Sequence, residues 1–150
     1  MELILWRHAE AEDGFPDEER ALTPKGVEQA KKMACWLKKH MPKDIKILVS
    51  PAKRAQQTAT ELGLPFTTVD ALASGASPQT LLSLANWDTT KGAVLIIGHQ
   101  PSLGMAAAIA MTRKTHYWCI KKGGIWWLAS RIRAEEEQAI IRAVVTPDLL

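Results

Sequence analysis

The sequence predicts an α/β fold, a three-layer α/β/α sandwich around a mostly parallel, mixed sheet. Three observations carry that expectation. Short apolar runs alternate with helix-length segments through the first two-thirds of the chain, the order β-α-β-α-β-α-β-α that builds a parallel sheet covered on both faces. Three of the helical segments open on a capping residue followed by proline: Thr23-Pro24, Ser50-Pro51 and Ser77-Pro78. The last third carries strand-like runs with no helix between them, so part of the sheet is expected to be antiparallel.

In order, Leu3–Trp6 reads as a strand ending in Arg7-His8, and a polar loop runs on to Leu22. The segment "TPKGVEQAKKMACWLKKHM" reads as a helix with Val27, Ala30, Ala34, Leu37 and Met41 on one face and most of its lysines elsewhere. "IKILV" is the second strand, and Pro51 opens the helix "PAKRAQQTATEL". "FTTV" is a short strand. Ser77-Pro78 starts a helix to about Leu84, "AVLII" is a continuous apolar strand, and a helix follows Pro101. "HYWCI", "IWWLASRI" and "AIIRAVV" read as strands joined by "KKGG" and "RAEEEQ". Adjacent Trp126 and Trp127 on a strand point to opposite faces and both fit a core.

A chain of 150 residues suits one domain, residues 1–150, with one core. A hydrophobic fraction of 47%, a charged fraction of 23% and a net charge of +3 are ordinary for a globular protein and give no footprint for nucleic acid. The longest apolar stretches, "VLII" and "LGMAAAIAM", are too short to span a bilayer, and no basic region followed by an apolar run marks a signal peptide. The expectation is a cytoplasmic monomer with neither nucleic acid nor membrane as partner. Cys35 and Cys119 lack metal or redox spacing. They are expected as reduced, packed thiols, with a single disulfide the open alternative.

In a parallel sheet, ligands bind beyond the carboxyl ends of the strands. The first strand ends in Arg7 and His8. The second ends in Ser50, with Arg54 one turn into the next helix. The strand "AVLII" ends in Gly98, His99 and Gln100. Taken singly, each has a bland reading: a surface arginine, a satisfied histidine, a turn glycine. Together they place two arginines and two histidines on one edge. Arginine's planar fork suits a tetrahedral oxyanion. A neutral imidazole can act as nucleophile, and a second, protonated imidazole can stabilise a transferring phosphoryl group. The set is sufficient for phosphoryl transfer through a phosphohistidine, and no metal-ligating cluster or cofactor is required.

"LILWRHAEAE", "ALTPKGVEQA", "VSPAKRAQQTA" and "VLIIGHQPSLG" stand in the order and kind of four motifs of the histidine phosphatase superfamily, the phosphoglycerate-mutase-like fold, and the chain resembles that family over most of its length. The short length, "ALASGASPQTLLSL" and the Gly-His-x-Pro segment resemble its SixA-type phosphohistidine phosphatases. The resemblance implies that His8 is the phosphorylated nucleophile and that Arg7, Arg54 and His99 hold the phosphoryl oxygens. One departure is Ala9, where the family has glycine, a change expected to narrow access or alter the turn.

No leaving-group acid is obvious. Gln100 follows His99, so the His-Asp pair of acid phosphatases is absent. Asp70 lies about where mutase-like relatives place their acidic residue and is the candidate proton donor, with a turn-forming aspartate as the other reading. Glu10 and Asp13 are expected on a mobile loop. A phosphoramidate leaves as imidazole and needs such an acid far less than an alkoxide does. The expected substrate is therefore a phosphohistidine-containing protein. A small-molecule phosphomonoester is the alternative within enzymes, and a catalytically silent phosphoprotein-binding module the alternative outside them. The acidic stretch "EAEDGFPDEER" reads as a solvated loop, a deterrent to anionic small molecules or a contact for a basic partner. His116 and Trp118 are candidates for the pocket rim.

Overall fold

The computed structural model describes residues 1–87 and 91–150. Strands β1 (Glu2–Arg7), β2 (Ile45–Val49), β3 (Thr67–Thr68), β4 (Ala93–Gly98), β5 (Ile125–Arg133) and β6 (Glu136–Val145) form one sheet in the order β3-β2-β4-β1-β5-β6. β1, β2, β3 and β4 run parallel, and β5 and β6 are added antiparallel. Helices α1 (Pro24–His40), α2 (Lys53–Thr60), α3 (Pro78–Ala85) and α4 (Ser102–Thr112) cover it.

Alternation along the strands splits the core into two layers. Leu3, Leu5 and Ile96 pack with Leu81 of α3 and Leu103, Ala106 and Ala107 of α4. Ile4, Trp6, Leu95 and Ile97 pack on the opposite face with Met33, Ala34 and Leu37 of α1 and Ala55 and Ala59 of α2. This is the three-layer arrangement expected. Trp126 and Trp127 divide between the two layers as the strand period requires.

Local chemistry explains most boundaries. Thr23 caps α1 by accepting from Gly26 N–H at 2.9 Å, and Ser77 caps α3 by accepting from Thr80 N–H at 3.1 Å. The tight link between β5 and β6 passes through Ala134 and Glu135 with φ of 51° and 66°.

Three expectations are corrected. Residues 116–120, "HYWCI", form no strand. Their carbonyls serve side chains instead of a ladder: Trp118 O accepts from Gln100 Nε2 at 2.9 Å and Ile120 O accepts from Arg7 Nη1 at 2.8 Å. Helix α2 begins at Lys53 rather than Pro51, with Ala52 at its N-cap position and no side-chain cap. Cys35 and Cys119 are free but exposed, not packed. Cys35 falls on the outer side of α1, whose inner face is formed by Gly26, Ala30, Met33, Ala34 and Leu37. No described helix is long and apolar enough to cross a membrane.

Candidate active site

The strand order places the predicted residues together. β4 lies between β1 and β2, and the registers Arg7↔Gly98 and Val49↔Ile97 bring three carboxyl ends level. His8, His99 and Ser50, each the next residue beyond its strand, therefore stand side by side. Arg54 reaches the same point from the first turn of α2. Arg7, His8, Arg54 and His99 all line one cavity of about 340 Å³, together with Ala11, Asp13, Asp17, Arg20, Ser74, Gln100 and Lys122.

The four are held firmly. His8, Arg54 and His99 are 8%, 2% and 4% exposed. Arg7 is fixed through Nη1 to Ile120 O, while its buried Nε has no hydrogen-bond partner among the described residues. His8 Nδ1 lies 2.8 Å from Ala9 O. A carbonyl only accepts, so Nδ1 carries the proton and Nε2 is the bare nitrogen. Nε2 in turn accepts from Arg54 Nε at 3.3 Å. His99 has the opposite arrangement: Nδ1 lies 3.3 Å from Arg54 Nη2, which only donates, so in the neutral ring Nε2 holds the proton and donates to Ser50 Oγ at 2.7 Å. The imidazole centroids are 5.2 Å apart.

Burial and neighbouring positive charge keep both rings neutral. Burial, then neighbouring His99, Arg54 and Arg7, brings His8 down to about 3, although its bond to Ala9 O opposes the shift. Burial and Arg54 bring His99 down to about 4. The arrangement thus offers an unprotonated ring nitrogen beside two guanidiniums. It can receive a tetrahedral oxyanion and attack it.

Sequence reasoning missed several neighbours. Ser50 is expected both as a helix cap and at the ligand edge, but its bond to His99 is not: its hydroxyl accepts from Ala52 N–H at 3.2 Å and also meets His99. Thr58 Oγ1 accepts from Ala9 N–H at 3.1 Å and donates to Arg54 O at 2.7 Å, tying β1 to α2. Asp17 and Arg20 line the cavity too. Arg20 is the lone base ending a run of acids, the one sequence signal that marked it.

Asp70 is exposed at the start of the 3-10 turn Asp70–Leu72 and is not among the residues lining the cavity. Glu10 turns its carboxylate to Thr23 Oγ1 at 2.8 Å, and Asp13 does line the cavity. Their loop, expected to be mobile, is tied by Thr23 N–H to Glu10 O, Glu12 N–H to Ala21 O and Glu10 N–H to Gln29 Oε1. Trp118 packs against the core, its ring stacked beside His116, and neither lines the cavity. Ala9 is fully buried against Leu22 and Ala30 with a negative φ, so the position has no need of glycine here.

A family model of the histidine phosphatase superfamily (branch 1) matches residues 3–74. An uncharacterized protein of Picosynechococcus sp. is 36% identical over 154 residues, covering 93% of each chain. Phosphohistidine phosphatase SixA of Escherichia coli (strain K12) is 32% identical over 123 residues, covering 72% of this chain and 73% of that protein. The chain belongs to the histidine phosphatase superfamily. The solved structure of the protein histidine phosphatase SixA complexed with tungstate shares its fold at a TM-score of 0.78, with 26% identity and 99% of each chain covered. The fold is also that of phosphoserine phosphatase from Entamoeba histolytica in complex with 3-phosphoglyceric acid, at a TM-score of 0.70 and 18% identity over 99% of each chain. As a histidine phosphatase the chain is a phosphatase, and its neighbours include both protein and small-molecule phosphatases.

Proposed function

We propose that this histidine phosphatase removes the phosphoryl group from phosphohistidine in a protein through a phospho-His8 intermediate. His8 Nε2 attacks phosphorus as the bond from phosphorus to the substrate imidazole nitrogen breaks. That nitrogen takes a proton from solvent. Water then attacks phospho-His8, releasing phosphate and returning Nε2 to its bare state. Arg7, Arg54 and His99 hold the phosphoryl oxygens, and the incoming dianion offsets the positive charge that, after burial, keeps His99 neutral.

The observation that carries this reading is the convergence of Arg7, Arg54, His99 and His8, with its bare Nε2, on one cavity. Two guanidiniums beside a bare imidazole nitrogen suit a tetrahedral oxyanion. Tungstate bound by the SixA relative is an oxyanion of that kind. Two further observations support the finer points. Asp17, the carboxylate that touches Arg54, is held well below the usual carboxylate range by its bond to that guanidinium, so it stays ionised and is no leaving-group acid. An imidazole leaving group has far less need of such an acid than an alkoxide. The groups set to hold the phosphoryl oxygens are two guanidiniums and an imidazole, which supply the positive charge the transfer needs.

The test is turnover of a phosphohistidine protein beside a panel of small phosphate esters, with His8→Ala as control. Release of phosphate from the protein and an acid-labile, base-stable label on the wild type are expected, with the variant slower by roughly 10³-fold or more. Undiminished turnover by the variant overturns the mechanism. Faster turnover of a small ester overturns the substrate. Phosphate binding without any phosphoenzyme makes the chain a silent binder.

A further inference from the structure

The acidic loop holds a residue that works on Arg54. The strongest hydrogen bonds of this buried guanidinium lie on its outer edge and go to a single residue: Nη1 donates to Asp17 O at 2.7 Å, and Nη2 donates to Asp17 Oδ2 at 3.0 Å. Its inner-edge contacts are longer, with Nε 3.3 Å from His8 Nε2 and Nη2 3.3 Å from His99 Nδ1. Asp17 is itself held in place. Its other carboxylate oxygen accepts from Arg20 Nε at 3.0 Å, Arg20 Nη1 donates to Glu12 O at 3.1 Å, and Arg20 N–H closes the 3-10 turn on Asp17 O at 3.2 Å. Arg54 is buried while the Asp17 side chain is about half exposed.

We propose that Asp17 is a positioning residue for phosphoryl transfer, gripping the outer edge of Arg54 so that Nε and Nη2 stay aimed at the space between the two imidazoles. This rests on the phosphate-pocket reading above. The two edges decide between positioning and plugging. A plug would sit on the inner edge, where the phosphoryl oxygens bind. Asp17 takes the outer edge, and among the described residues no carboxylate bonds to the inner one. The inner contacts are long bonds to neutral nitrogens that a charged oxygen readily replaces, because a charge-assisted bond is shorter and stronger. Two bonds from one residue fix both the place and the plane of the fork, whereas an arginine gripped at one point could swing away from the imidazoles. The carboxylate also balances one of the guanidiniums, Arg7, Arg20 and Arg54, that share the pocket.

The test compares wild type, Asp17→Ala, Asp17→Asn and Glu18→Gln, using inorganic phosphate as the probe. Phosphate binding is read by thermal protection and product inhibition, and kcat by turnover of a phosphohistidine protein. Positioning predicts that D17A binds phosphate about 10-fold more weakly and loses kcat by about 10- to 100-fold, as expected for loss of charge-assisted hydrogen bonds. D17N, whose amide oxygen still accepts from Nη2, recovers part of both, and E18Q matches wild type. D17N also decides the matter if D17A does not fold. A purely structural role would lower the melting temperature but leave phosphate protection unchanged, and that result overturns the proposal. So does tighter phosphate binding by D17A, which would make the residue a plug. A wild type that phosphate neither protects nor inhibits overturns the underlying pocket reading, and it is recognised before any substitution is made.

Discussion

The pocket joins two regions fixed by different forces. Its floor is the carboxyl edge of β1, β4 and β2, where His8 and His99 are nearly inaccessible and Arg54 is sunk among them. Its wall is the loop of residues 10–20, where every residue from Glu12 to Glu19 is exposed and order comes from hydrogen bonds to Arg54, Arg20, Thr23 and Gln29. The floor is held by burial, so its weakness is charge. The wall is held by close contacts, so its weakness is geometry. Each is best disturbed in its own way.

The largest expected effect concerns the floor. Both histidines are pushed below the ordinary histidine value, to about 3 and about 4, with burial the leading cause. Between those values and about 6.5 the unfolded chain binds protons that the folded chain does not. Stability therefore rises with pH in that window and is lost as pH falls through it. From about pH 7 to about pH 5 the pair should cost on the order of 2–4 kcal/mol. Urea unfolding across that range checks it. His8→Asn with His99→Asn should remove most of the slope, since carboxylates titrate mainly below the range. A slope unchanged in the double variant would mean that the rings are not the groups responsible.

These differences also mark what the sequence made legible. Arg7, His8, Arg54 and His99 could be read because strand ends are strong signals and the chain order placed three of them on one edge. Ser50 was visible as a residue but not in its contact, because only the packing of β2 beside β4 brings His99 to the hydroxyl that also accepts from Ala52 N–H. Asp17 was hidden among Glu12, Asp13, Glu18 and Glu19, and nothing local separates the acid that reaches a buried guanidinium from those that face water. Residues 116–120 have strand composition, but side chains from β1 and the turn before α4 claim their carbonyls. Each miss is a tertiary contact that overrides a local preference.

A smaller effect is expected in the wall. Gly26 brings α1 so close to the loop that an added Cβ would lie 2.0 Å from Glu10 O, a backbone atom with no rotamer to change. Gly26→Ala must push the loop off the helix and should destabilise by about 2–3 kcal/mol despite alanine's better helix propensity. Faster amide exchange at Glu10, Glu12 and Thr23 than in the rest of α1 would show that the damage is confined to the wall. Uniform loss of protection would show that floor and wall unfold as one unit.

The smallest effect falls at Ala9, where floor becomes wall. Its methyl is buried against Leu22 and Ala30, its N–H is held by Thr58, and its φ is negative. Restoring the family glycine would remove that methyl and add backbone freedom to the unfolded chain, destabilising by about 1–1.5 kcal/mol. Because the backbone there is already one that any residue adopts, kcat should stay within about twofold, a change of under about 0.5 kcal/mol in the barrier. Chemical unfolding and turnover of Ala9→Gly measure the two separately. A gain in turnover without a loss of stability would mean that the methyl constrains the pocket. The contacts point the other way: alanine fastens the loop to α1, and the departure from the family pattern serves packing, not chemistry.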